Sequence, residues 1–482
     1  MNWAFWVILI VVSILFTYLM KYLFKAKIYF IISMLRSEKS VSILDKFRQN
    51  KFWLWMSKFG IFLGFGFLGI LYWYWEDLKY KKKKTVYLSI VFYSIIILII
   101  GLIVANLGLV TNTIVKYIFN TIIFFFFGFA GFGLSLIAQS AYLILKAYFL
   151  GRETCPGVAP VIPGITVPGT DFKIPFFEGW IALIIIMIVH ELAHGILARK
   201  ISVKVKSLGL LLLGFFPIGA FTEPDEQDLK RALPKEQMLV FSSGPTSNLF
   251  LAVIILAIMG LIFAPLFSGY ISNINSLAKD GIYITDLQEF TQMCGFGVAS
   301  KNYTKLDNLF LQLDLNKNQF FKNYNLKILE INNLQVTDSN DLYNITNTDN
   351  NSFVFNLLVE DKISKTSFEY STILEKNSDK SFGIKLQEKA KEDFDYPFGY
   401  SLLQFIYTTL KFIVLFSFAV ALFNFLPIIM LDGGQMFPII INEFIPYNTH
   451  YKKRKIIINT IFISVIVFFL ILIAINVLPF FF

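Results

Sequence analysis

Polarity along this chain is organised in long unbroken apolar runs, and not in the period-2 or period-3.6 alternation of elements half-buried in a soluble core. The runs cover about 3–24, 52–75, 86–107, 114–150, 179–198, 238–267, 401–429 and 456–482. Each reaches the roughly 20 residues that a helix needs to cross ~30 Å of hydrocarbon. The run at 114–150 is longer than one crossing requires, which leaves a tilted helix or a helix joined to a re-entrant piece. Between the sixth and seventh runs the pattern changes. Residues 271–396 are rich in Asn, Asp and Lys and carry short alternating stretches such as Gly281-Ile282-Tyr283-Ile284 and Phe353-Val354-Phe355, which predicts an inserted, mainly β, soluble domain. A second break, Leu208 to Phe221, is apolar but interrupted by Gly209, Gly214, Pro217 and Gly219. It is too short and broken for a crossing helix. Non-helical backbone survives at membrane depth only when buried in protein or lining a wet cavity, so this stretch reads as a re-entrant, β-like loop able to offer an edge strand.

Composition sharpens the class. Hydrophobic residues make up 56% and charged residues 16% of the 482 positions, and the mean hydropathy is +0.63. Soluble domains carry about 25% charged residues, so the chain is a polytopic α-helical membrane protein. The net charge of +10 raises nucleic acid as a partner. However, the Lys and Arg residues gather beside apolar runs, at 21–27, 199–206 and 452–455, as membrane anchors and topology signals do. The bilayer is the partner and nucleic acid is not. The first run lacks a basic lead and a small-residue cleavage site, and it reads as an uncleaved helix. Cys155 and Cys294 are too few for a thiolate metal site or a disulfide framework, and their proximity is not encoded in their spacing. The resulting division is 1–150, N-terminal transmembrane helices; 151–270, a first catalytic half; 271–396, the insert; and 397–482, C-terminal transmembrane helices.

Candidate chemistry sits inside the fifth apolar run. Two of the three histidines, His190 and His194, flank Glu191 in a His-Glu-x-x-His word. Four-residue spacing puts both imidazoles on one helix face, where they can share a Zn2+, and Glu191 lies beside the first where it can act as base toward the attacking water. Ionisable groups at membrane depth are costly and usually functional. A catalytic zinc takes three protein ligands, and Asp432 supplies a lone carboxylate after some thirty nearly uncharged residues, in Asn424-Phe425-Leu426-Pro427-Ile428-Ile429-Met430-Leu431-Asp432-Gly433-Gly434. Pro427 and the two glycines break the helix there.

Together, His190-Glu191-Leu192-Ala193-His194-Gly195 and Asn424-x-x-Pro427-x-x-x-x-Asp432-Gly433 resemble the site-2 protease family of intramembrane zinc metalloproteases. Archaeal-like members are matched further by Pro160-Val161-Ile162-Pro163-Gly164, by Gly219 to Glu226 and by Gly244-Pro245-Thr246-Ser247-Asn248. The stretch Leu326 to Asn333, followed by Val336 and Asp341-Leu342, resembles the strand, turn and helix start of a PDZ domain, which makes the insert PDZ-like. The family resemblance implies that His190, His194 and Asp432 bind zinc, that Glu191 is the general base and that Asn424 holds the substrate backbone or the developing oxyanion. It also implies that the substrates are membrane-spanning proteins already trimmed by another protease, with the insert as gate. The first 150 residues lie outside the resemblance.

Positive-inside reasoning puts 199–206 and 452–455 at the cytoplasmic face of a multi-pass protein of a prokaryotic cell membrane, with the insert outside. Counting back places Lys79 to Lys84 outside as well, which means either that one early segment does not span or that the rule fails there. A non-proteolytic zinc-binding scaffold or receptor shares the three ligands but has no use for Glu191. A metal transporter calls for more ligands than one further histidine provides. Smaller motifs have plainer readings. Gly64-Phe65-Gly66-Phe67-Leu68-Gly69 fits close helix packing better than a dinucleotide loop, since no strand precedes it. His450 fits an exposed loop, and Glu223 with Asp225 fits either a water path or a solvated turn. The sequons at Asn302, Asn344 and Asn350 permit glycosylation of the insert.

Overall fold

The computed structural model describes residues 15–23, 26–29, 32–80, 83–106, 114–150, 156–159, 161–166, 173–214, 216–287, 309, 313, 320, 322–348, 350–376, 384–391, 394–446 and 448–480. Cys155, Cys294, Pro160 and Asn302 lie outside the described residues. In chain order the N-terminal part contains β1 (Lys27–Tyr29), β2 (Ile32–Ser37), α1 (Val41–Phe47), α2 (Phe52–Tyr80), α3 (Lys84–Asn106) and α4 (Ile114–Phe149). The next part holds α5 (Phe176–Lys200), β3 (Val205–Leu213), β4 (Phe216–Pro224), α6 (Glu226–Arg231) and α7 (Pro234–Ile258); α7 continues through a π turn (Met259–Phe263) into α8 (Ala264–Ala278). The insert is built from β5 (Lys279–Leu287), β6 (Tyr324–Ile331), β7 (Leu334–Gln335), α9 (Ser339–Thr346), β8 (Ser352–Asp361), β9 (Ser367–Glu375) and β10 (Ile384–Ala390). Helices α10 (Phe398–Asn424), α11 (Asp432–Phe444) and α12 (Tyr451–Val477) complete the chain.

Among the described residues seven helical segments are long and apolar enough to cross a membrane, as expected of a polytopic helical protein. Two of them do not run straight. In α2, Gly66 adopts φ 57° and ψ −138°, a conformation open essentially to glycine alone. Across it Lys58 donates to the Tyr74 hydroxyl at 3.0 Å, and the Phe62 and Tyr74 ring centroids stand 6.4 Å apart. A straight helix would hold positions 58 and 74 about 24 Å apart, so α2 is a hairpin of two antiparallel arms. Helix α4 repeats the device at Gly128, with φ 58° and ψ −149°. There Ser135 and Gln139 donate to Asn120 Oδ1 at 3.2 and 2.9 Å. The 114–150 run is thus folded back on itself and is not a single tilted helix.

The two hairpins meet tip to tip. A Cβ on Gly66 would lie 2.5 Å from the Phe125 carbonyl oxygen and 2.7 Å from the Gly128 nitrogen, and one on Gly128 would strike the Leu63 carbonyl oxygen. Helix α3 joins the open end of the first hairpin to the open end of the second, so the two enter from opposite ends of the helical body. The Gly-x-Gly word at 64–66 is thus a close-packing device, as its lack of a preceding strand suggests. Alanine at Gly66 or Gly128 adds both a forbidden dihedral and a backbone collision. Each substitution is expected to cost about 3 kcal/mol or more, read as a drop in the midpoint of thermal unfolding in detergent. An unchanged midpoint would contradict the tip-to-tip arrangement.

Because α2 returns to its starting end, Lys79 lies at the same end as the start of α2, in keeping with the alternative in which one early segment does not span. Lys235, at the start of α7, pairs with Glu76 at 2.9 Å. Arg199, at the end of α5, makes two bonds to Asp45 at 2.9 and 3.0 Å, and this guanidinium holds the Asp45 carboxyl below the usual carboxylate range. Both mouths of α2, the end of α5 and the start of α7 therefore share one end of the molecule.

Residues 1–150 are not only helices, as the sequence reading had them. Strands β1 and β2 from this part join β3 and β4 in an antiparallel sheet of order β1-β2-β3-β4. Its register pairs Leu35 with Leu210 and Leu210 with Ala220. The broken stretch at 208–221 falls on β3 and β4, and among the described residues β4 is an edge strand of this sheet. The insert starts at Lys279, not 271, because the α7–π–α8 helix runs 45 residues, about 67 Å. Its sheet has the order β10-β5-β6-β8-β9, with β7 paired to β6. Asn332 and Asn333, both with positive φ, form the tight β6–β7 turn that such a hairpin favours. The Asp338 side chain caps α9 by accepting from the backbone amides of Asn340 and Asp341. The expected strand, turn and helix start at 326–342 are therefore present as elements.

Candidate metal centre

Helix α5 follows Pro175, whose missing N–H costs nothing at a helix start. It brings His190 and His194 one turn apart toward the start of α11. The apolar helix breaks before Asp432, as Pro427 and the two glycines suggest. Helix α10 stops at Asn424, the chain turns through 425–431, and Asp432 opens a new helix. The motif's residues explain this turn. Pro427 cannot continue the helical hydrogen bonding, and a Cβ on Gly433 or Gly434 would strike the Phe425 or Ile428 carbonyl oxygen. The two glycines let the first turn of α11 lie directly on the preceding loop. Phe425, fully buried, anchors that loop from behind by packing against Gly64 of the α2 hairpin and stacking on Phe129 of α4, with ring centroids 6.1 Å apart.

His190, His194 and Asp432 thereby converge. The two histidine Nε2 atoms lie 3.1 Å apart, and Asp432 Oδ2 stands 3.3 Å from the first and 3.4 Å from the second. Ligands about 2.0–2.1 Å from a tetrahedral zinc are separated by ~3.3 Å, so the triangle has the size that this ion requires. Asp432 Oδ2 is buried and makes no hydrogen bond, an arrangement costly for a carboxylate that coordinates nothing.

The surrounding groups orient the rings. His194 Nδ1 lies 2.8 Å from the Val240 carbonyl oxygen. An N–H donated there leaves the Nε2 lone pair facing Asp432. His190 Nδ1 lies 3.2 Å from the Asn248 amide nitrogen, while Asn248 Oδ1 is buried without a partner. Turning that amide by half a revolution satisfies its oxygen with the His190 Nδ1–H and frees His190 Nε2 as well. Gly244 completes the enclosure. A Cβ there would lie 2.6 Å from His190 Nε2 and would strike His194 Nε2.

Glu191 sits beside the triad on the β4 side. Its Oε2 accepts the Thr222 N–H at 2.7 Å, and the Thr222 hydroxyl donates to the Glu191 carbonyl at 2.6 Å. Asn424 is turned back on its own helix, its Nδ2 donating to the Val420 carbonyl oxygen at 2.9 Å. Glu223 accepts from Ser207 at 2.7 Å and pairs with Arg36 at 3.4 Å. Asp225 caps α6 through the Gln227 and Asp228 amides and pairs with Lys206 at 3.0 Å, which holds its carboxyl below the usual range. These contacts match the solvated-turn reading of 223–225. His450 is exposed at the start of α12, its side chain accepting from the Lys452 amide. Thr222, Gly244 and Asn248 carry no chemical signal of their own in the sequence. All three belong to words that the resemblance singles out, without a role.

The fold and this centre define a polytopic membrane protein with a His-His-Asp group able to hold a metal. A family model described as peptidase family M50 matches residues 178–473, more than half of the chain. The chain belongs to that family, the site-2 proteases. A 78-residue stretch is also 47% identical to an uncharacterized protein of Methanocaldococcus jannaschii. That match spans 16% of this chain and 21%, about a fifth, of the relative's length.

Proposed function

We propose that the protein is a zinc-dependent intramembrane endopeptidase that cleaves transmembrane segments of other membrane proteins. The observation that carries this reading is the triangle of His190, His194 and Asp432, with Glu191 one residue along and hydrogen-bonded to the edge strand β4. Zinc, held by those three side chains, would polarise the scissile carbonyl and acidify water at the site.

The protein's own residues supply the rest. Glu191 takes the proton of the attacking water and passes it to the leaving amine. A membrane helix hides its carbonyls in internal hydrogen bonds, so a substrate must be held extended, and β4 offers the edge. The Thr222 N–H is given to Glu191, so the polar groups of Thr222 point away from β3. Those of Ala220, two residues away, do the same. Asn424, once its amide leaves the Val420 carbonyl, donates to the oxyanion. The insert admits membrane stubs that another protease has already trimmed.

Cleavage by the purified protein in detergent tests this reading, with one membrane-helix substrate presented both intact and trimmed. Cleavage is expected to stop on chelation, to return with zinc, and to be faster for the trimmed form. Undiminished cleavage by demonstrably metal-free protein would overturn the metalloprotease assignment, and equal rates on both forms would remove the gate.

A further inference from the structure

A cavity of about 460 Å3 lies against Glu191, between the four-stranded sheet and α5. Helix α5 lines it with Ile188, Glu191 and Leu192, three positions on one helical face. The register assigns the sheet side. Leu35, Leu210 and Ala220 form one row across β2, β3 and β4, and Ser37, Leu208 and Thr222 form the next row on the same face. All six residues line the cavity. That this face looks at α5 follows from Thr222, whose methyl would lie 3.2 Å from a Cβ on Gly195. The intervening row, Arg36, Gly209 and Phe221, also borders the cavity, and there the Arg36 guanidinium lies over the Phe221 ring.

Each row ends at β4 in a small residue, Ala220 or Thr222. A peptide strand added to the β4 edge places the residue opposite Ala220 on the same face, as the next member of the Leu35–Leu210–Ala220 row. Its side chain then reaches over the Ala220 methyl group into the cavity, beside Glu191.

We propose that this cavity is the subsite for a large apolar substrate side chain next to the scissile bond, and that Ala220 is its specificity-determining residue. The lining of leucines and isoleucine selects Leu or Phe, and the small Ala220 side chain leaves the entrance open. The proposal rests on the protease reading for its substrate, but it can be tested without turnover.

Peptide hydroxamates chelate the metal and carry one side chain along the edge, so the affinities of Ala, Leu and Phe probes report the subsite directly. Wild-type protein is expected to bind the Phe probe at least about tenfold more tightly than the Ala probe. Ala220→Phe should abolish or invert that ratio. Leu210→Ala, which enlarges the cavity, should shift preference toward a naphthylalanine probe. A wild-type ratio near one, a ratio unchanged in both variants, or no binding of any probe would overturn the proposal. Discrimination among probes by a protein that cleaves no membrane substrate would support the subsite and count against the protease reading.

Discussion

Glu191→Gln is expected to lower proteolysis by about 10²- to 10⁴-fold, the usual worth of a positioned general base, while the protein keeps its full complement of zinc. Glutamine preserves the size of the side chain and an oxygen for the Thr222 N–H, so the β4 edge and the neighbouring histidines stay in place. What is lost is the capacity to take a proton at that atom. Elemental analysis of the purified variant beside a cleavage time course reads both quantities. Wild-type cleavage by Glu191→Gln would remove the residue from the mechanism. Loss of zinc together with activity would make it a structural support of the site.

Gly244→Ala is expected to have the second largest effect, on metal affinity. The added methyl group would occupy the space between the two imidazoles on the triad side, and α7 has no room to retreat. Ser242, Ser243 and Thr246 are fully buried, and Thr246 lies against Gly60 of α2, where a Cβ would collide with it. The rings must turn from Asp432, and zinc affinity should fall about 100-fold, the upper range for disturbing the groups that orient metal ligands. Gly269→Ala is the control, since nothing stands within 4 Å of a Cβ there. Equal zinc affinity of the two variants would show that the triangle is not the binding geometry.

The metal triad is legible in the sequence because its cost is local. Two imidazoles and a carboxylate in apolar runs have few reasons to exist other than one another, and the proline and glycines before and after the aspartate announce a turn. The supporting groups are not legible, since Gly244 and Asn248 act through packing and hydrogen bonds that join α7 to α5, and only tertiary contact reveals them. Strands β1 and β2 are hidden for a related reason. They are short, mixed stretches: β2 is held extended by pairing with β3, about 175 positions later in the chain, and β1 pairs in turn with β2. The hairpins lie between these cases. The glycines at 66 and 128 and the excess length of 114–150 are visible, but a hydropathy profile reads two half-length arms and one full crossing alike.

That geometry bears on how the protein is made. A bare hairpin tip at mid-bilayer exposes backbone to hydrocarbon, which supplies no hydrogen bonds. The opposite tip covers it at Gly66, and that tip arrives from the far side after α3 has crossed. The first hairpin is therefore unfinished until the second has been made, and its remaining cover, Thr246 at Gly60 and Phe425 at Gly64, comes from chain made after His190 and His194.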